Sequence, residues 1–241
     1  MNHKILAILL FSLLFGSNVH AQFNLGKVLD KVSGKGDGLG ENEIVSGLKE
    51  ALNVGISNGS AEASKVDGFF KNELIKIAVP PEAQKVAETL RKMGLGDQVD
   101  KFTLSLNRAA EDAAKKSKPI FVKAITSMTV PDALGILKGQ DDAATQYLKK
   151  TTNEDLYKTF FPVVDSTLNL NKATDYYKEI VDTYNKIPLV KKVNPDLKGY
   201  ATQKTIDGLY VLIAQEEKKI REDPKARVTD LLKKVFKQAT K

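Results

Sequence analysis

Gln203, Asp207, Tyr210, Glu217 and Arg221 recur at intervals of three, four and seven residues. At about 100° per residue in an α-helix they fall, with Ala214, within about 40° of one direction. Ile206, Leu209, Val211, Leu212 and Ile213 point to every side of the same helix, so it is expected to be buried and to carry Asp207 into its domain. Carboxylates in apolar surroundings need hydrogen bonds or a positive partner, because desolvation otherwise neutralises them. Arg221 sits one turn beyond Glu217, and a second polar set, Asn107, Arg108 and Glu111, brings another guanidinium; Arg227 is a further candidate partner for Asp207. Two chemistries fit these residues. One is a set of inter-helix ion pairs that fix packing, with Asp207 largely buried and Glu216 on a wetter face. The other is a carboxylate pair, Asp207 with Glu217 or Glu111, performing general acid and base work on a cell-wall glycan.

Composition excludes much else. The chain has two histidines, His3 and His20, and no cysteine or tryptophan. Both histidines lie in a stretch with the form of a secretion signal: Lys4, an apolar run from Ile5 to Phe15, and Val19-His20-Ala21, with cleavage expected after Ala21. The apolar run is about half of the roughly 20 residues that span a bilayer, so it reads as a signal and not as an anchor, and no later stretch is long enough to span. The mature product is expected to be periplasmic or secreted and free of imidazole and thiol. That removes most of the usual catalytic and metal-binding chemistry, because triads need an imidazole base and transition-metal sites draw on imidazole or thiolate ligands. Asp141-Asp142 and Glu216-Glu217 lack the alternating ligands and glycine of a calcium loop. Thus no metal and no cofactor are expected. Net charge is +7, with Lys and Arg scattered among Asp and Glu, a pattern that suits a salt-laced surface better than a nucleic-acid groove.

Three segments follow from the punctuation: residues 1–21 as signal, 22–40 as a flexible segment ending in a Gly-rich linker, and 41–241 as one domain. Ser33 to Gly40 holds four glycines, but no strand precedes it and no Gly-Lys-Ser or Gly-Lys-Thr closes it, so it is not read as a phosphate loop. Beyond it the periodicity is helical. Ile44, Leu48, Leu52 and Ile56 form one stripe, and Val99, Phe102, Leu106, Ala109 and Ala113 form a seam that wants a partner helix. Pro80-Pro81 opens a helix from Glu82 to Met93 that Gly94-Leu95-Gly96 closes. Pro119 begins another, and Thr129 with Asp132 makes a capping box. Asp141 and Asn153 are expected to cap separate helices near 142–151 and 154–169, the second bent or broken at Pro162. Helices near 172–186, 197–221 and 224–236 complete an all-α array of about nine, orthogonal or bundle-like, around the buried helix 197–221. The seven tyrosines read as core residues whose hydroxyls reach the surface.

The stretches Gly139 to Tyr147, Thr202 to Pro224 and Arg227 to Phe236, together with Asn107 to Glu111 and Met128 to Ala133, resemble the bacterial domain of unknown function 4197. The likeness runs from about Ile44 to Phe236. It implies an exported helical protein of a Gram-negative bacterium and transfers no catalytic residues. With the missing imidazoles, it favours a non-enzymatic binding or envelope-associated protein whose partner is a lipid, a peptide or another protein held between helices.

Overall fold

The protein is described by a computed structural model over residues 40–170, 173–186, 188, 189, 192 and 196–239. The expected signal, and the linker up to Gly40, lie outside these residues. Among the described residues the chain is all α and forms a single domain without strands. Its helices are α1 (Glu41–Ser64), α2 (Gln84–Lys92, after a 3-10 turn at Pro81–Ala83), α3 (Gly96–Ala114), α4 (Ser117–Thr126) and α5 (Val130–Lys138). They continue with α6 (Ala143–Leu170), α7 (Ala173–Asn185), α8 (Leu197–Glu222) and α9 (Asp230–Ala239).

The centre is α8, which packs most extensively on α1 and α6 and also on α3. Its buried side includes Leu197, Ala201, Ile206, Leu209, Leu212 and Ile213. Gly208 is required there, because a Cβ would stand 2.6 Å from the ring of Phe69. Phe69, Ile75 and Ile77 come from the irregular segment 65–80 and are buried in the core. Asp67 begins that segment with a φ of 67°, a left-handed conformation that Asp adopts more readily than most residues.

One long helix replaces the expected pair at 142–151 and 154–169. Ala144, Leu148, Thr152, Leu156, Phe160, Val164 and Leu168 are all buried at four-residue spacing along α6. Burying each large apolar member contributes about 1.5–3 kcal/mol, which outweighs the weak helix preference of Thr151, Thr152 and Asn153. The Thr151 and Thr152 hydroxyls donate back to the carbonyls of Tyr147 and Leu148, at 2.9 and 2.6 Å. Asn153 is therefore an interior residue and not a cap, and Pro162 lies inside the helix on an exposed position. The capping box at α5 forms as expected: Thr129 Oγ1 accepts from the Asp132 amide at 3.3 Å, and Asp132 Oδ2 accepts from the Thr129 amide at 3.0 Å.

A smaller apolar cluster of Ala51, Ile220, Leu232 and Val235 holds α9 against α1 and α8.

Candidate functional site

The polar residues expected to share one site are divided among separate structural clamps. Glu217 reaches from α8 to the start of α6. Its carboxylate accepts from the amides of Ala144 and Thr145 at 3.0 and 2.8 Å, from the Thr145 hydroxyl at 2.8 Å, and from Arg221 Nη2 at 2.7 Å. A helix start has amides with no intrahelical acceptor, and its dipole favours an anion there. The cap of α6 is consequently a carboxylate from another helix, where Asp141 had been expected. Arg221 also donates to the Ile136 carbonyl at 3.1 Å, which ties α5 to the same point. The Glu217 side chain is only 6% exposed.

Glu111 makes the second clamp, with a side chain 4% exposed. Its Oε1 accepts from the amides of Phe69 and Phe70 at 3.1 and 3.2 Å, and its Oε2 accepts from Arg108 Nη1 at 2.6 Å. Arg108 extends a second nitrogen to Asp67 Oδ1 at 2.7 Å. Hydrogen bonds from Lys71 and then Arg108 hold the Asp67 carboxyl below its usual range. Asn107 treats Ile77 as a neighbouring strand would, accepting from its amide at 2.8 Å and donating to its carbonyl at 2.9 Å. Asn107, Arg108 and Glu111 therefore use α3 to fasten the irregular segment 65–80.

Arg227 closes the far end of α8 by donating to the carbonyls of Ile220 and Arg221, at 3.0 and 2.9 Å. Tyr210 is buried, and its hydroxyl lies 2.9 Å from Thr152 Oγ1. Because the Thr152 hydrogen goes to Leu148, Tyr210 is the donor. Burial pushes the Tyr210 hydroxyl from 10 up to about 12.

Asp207 departs from expectation. Its side chain is 42% exposed, its bonded partner is Gln203 at 3.0 Å, and Lys204 stands 3.9 Å away. None of the three arginines binds it. Around α8, Asp207 is displaced by about 60° from Tyr210 and about 80° from Glu217, on the side where Val211 and Lys218 are exposed. The helix is thus buried over most but not all of its circumference, and Asp207 borders the open strip. Glu216, expected to be wetter, is only 17% exposed and is held by Asn58 at 2.9 Å.

A different place offers room for a ligand. A groove of about 680 Å³ runs between α2, α3 and the start of α7, within the size range of small-molecule sites. Val86, Ala87 and Leu90 face it from α2; Val99 and Phe102 face it from α3, and Tyr177 from α7. Phe102 and Tyr177 stack with centroids 5.8 Å apart and rings 6° from parallel. Burial pushes the Tyr177 hydroxyl up to about 12. Asp207, Glu111 and Glu217 do not line this groove; of the polar residues expected to act, Arg108 alone borders it.

The cover of the groove is α2. This helix places Val86, Ala87 and Leu90 on one side, yet none of its residues is buried. It packs chiefly on α3, between the Pro80-Pro81 entry and Gly94, whose φ of 80° needs a glycine. Arg91 pairs with Asp100 to latch it across to α3, and that bond raises the Arg91 pKa and lowers the Asp100 pKa. On its other side a shallower hollow of about 510 Å³ shares Val79, Ala87 and Val99. The sequence carried two faint signs of the groove: an amphipathic helix too short to be stable alone, and the Val99–Phe102 seam that asked for a partner.

Fold and groove define an all-α protein with a covered apolar hollow and internally saturated polar clamps. Over residues 38–237 the chain matches the family model described as Protein of unknown function (DUF4197), and it belongs to that family. A search of curated proteins and a search of solved structures each found no match.

Proposed function

We propose that this is a non-enzymatic, exported binding protein of the bacterial envelope or periplasm that takes an apolar ligand into the groove beneath α2. The observation that carries it is the cover helix, which turns Val86, Ala87 and Leu90 toward a hollow of about 680 Å³ while burying no residue of its own. Apolar surface left in a concave site gains free energy when a ligand displaces its water. Export rests on the signal-like residues 1–21.

The glycan-hydrolase alternative needs two carboxylates about 5–9.5 Å apart that face a cleft. Glu111 and Glu217 instead spend their oxygens on backbone amides and arginine, and none of the three candidate carboxylates reaches the groove. These contacts support the binding reading over hydrolysis by Asp207, Glu111 and Glu217.

Titration of the purified chain with the uncharged fluorophore N-phenyl-1-naphthylamine tests the binding proposal. Saturable enhancement is expected in the natural chain and is expected to disappear in Ala87→Phe, which fills the groove from the partly exposed cover. Non-saturable enhancement, unaltered in Ala87→Phe, contradicts it. Export is checked separately by the N-terminus of the protein recovered from the periplasm, expected at Gln22.

A further inference from the structure

We infer that the ligand of the groove is a monomeric single-chain amphiphile with an anionic head, for which laurate is the probe, the head held at Lys101 and the hydrocarbon chain lying beneath α2. This rests on the groove-binding proposal above and adds the chemistry of its occupant.

The wall of the groove selects between chain types. Val79, Val86, Leu90, Val99, Phe102 and Leu104 supply hydrocarbon and ring surface. Ser105 is the one hydroxyl that α3 adds, and it already donates to the Phe102 carbonyl at 2.7 Å. Gln98 adds one side-chain amide to the lining, but a peptide laid here would bring an amide and a carbonyl with every residue and leave most of them without partners, at a cost comparable to a lost hydrogen bond each. A hydrocarbon chain brings no such groups.

Charge selects the head. Lys101 and Arg108 stand on the α3 side of the groove, about 10 Å apart along the helix, and among the described residues no carboxylate lines it. Arg108 is already neutralised by Asp67 and Glu111 at 2.7 and 2.6 Å. Lys101 is exposed, and among the described residues no acidic side chain pairs with it. An exposed ammonium on the wall of a largely apolar groove complements an anionic head with an apolar tail. The concave, covered shape suits one chain extracted from its surroundings better than the flat face of a bilayer.

The test is calorimetric titration of the purified chain with laurate and with lauryl alcohol, below their aggregation limits, in the natural protein and in Lys101→Glu. Laurate is expected to bind one to one, more weakly as salt rises. Lys101→Glu is expected to weaken laurate by roughly five- to tenfold, the scale of an exposed ion pair turned into a repulsion, and to leave lauryl alcohol unchanged. Lys101 is exposed, so the variant folds, and Lys101→Gln gives the neutral intermediate. Equal binding of laurate and alcohol in both proteins overturns the head-group assignment while the groove proposal stands. Binding of neither overturns both. Attachment to phosphatidylglycerol vesicles but not to phosphatidylcholine vesicles, without laurate binding, assigns the charge to a membrane surface and overturns the inference.

Discussion

The Glu217 clamp and the groove under α2 use opposite chemistry toward opposite ends. At Glu217, five donor contacts converge on one carboxylate that water scarcely touches. Under α2, mostly apolar side chains surround space, with Gln98, Lys101, Ser105 and Arg108 as the polar residues that α3 adds to the lining. A saturated polar cluster has no capacity left for a ligand and shows itself as stability. An unsaturated apolar one contributes little to stability and retains its capacity for binding. Glu111 and Glu217, two of the three carboxylates that suggest chemistry in the sequence, are fasteners in this fold.

The largest expected effect comes from breaking the clamp. Glu217→Ala removes the carboxylate that Arg221 pairs with and leaves two amides of α6 without their acceptor, and removing one partner of a buried pair costs about 3–5 kcal/mol. In a domain of this size each kcal/mol moves the melting temperature by roughly 2–4 °C, so thermal unfolding is expected to fall by roughly 6–20 °C. A fall of a degree or two shows that the clamp is not structural.

Alkaline pH gives a smaller, directional effect at Tyr210. Below pH 10 both folded and unfolded chains keep the phenolic proton. Between 10 and about 12 the unfolded chain releases it while the native chain retains it, so this contribution to stability declines as pH rises through that window and is lost above it. Tyr210→Phe is expected to flatten the decline between pH 10 and 12 relative to the natural chain, while Thr152 keeps its bond to Leu148. Parallel profiles for the two proteins contradict burial as the cause.

Asp207→Ala should do least. On the open strip of α8, with Gln203 as its bonded partner, its loss is expected to stay within about 0.5 kcal/mol. A melting shift as large as that of Glu217→Ala restores the buried position first expected for it.

How legible these regions were follows the same division. Helix existence, the Thr129–Asp132 box and the central place of α8 follow from local periodicity and capping, which the sequence states directly. Arg221 beside Glu217 and Arg108 beside Glu111 follow from helical spacing. The position of Asp207 is not legible, because apolar residues around a helix do not say which neighbours arrive, and the strip through Val211 stays uncovered. Asn153 has the local form of a cap, but the buried stripe of α6 decides in favour of helix through tertiary contacts. The groove was least legible: Val86, Leu90, Val99 and Phe102 look like ordinary core residues, and only the position of α2 leaves space beneath them.

The separation of fastening from binding is tested most directly by a reporter in the groove. The chain has no tryptophan, so Phe102→Trp places a single indole where Phe102 now stacks on Tyr177. Its emission is expected to shift saturably as laurate is added, and the shift is expected to vanish when Ala87→Phe is combined with it at an unchanged melting temperature. Emission indifferent to laurate, or a shift that survives Ala87→Phe, would contradict the assignment of binding to the groove beneath α2.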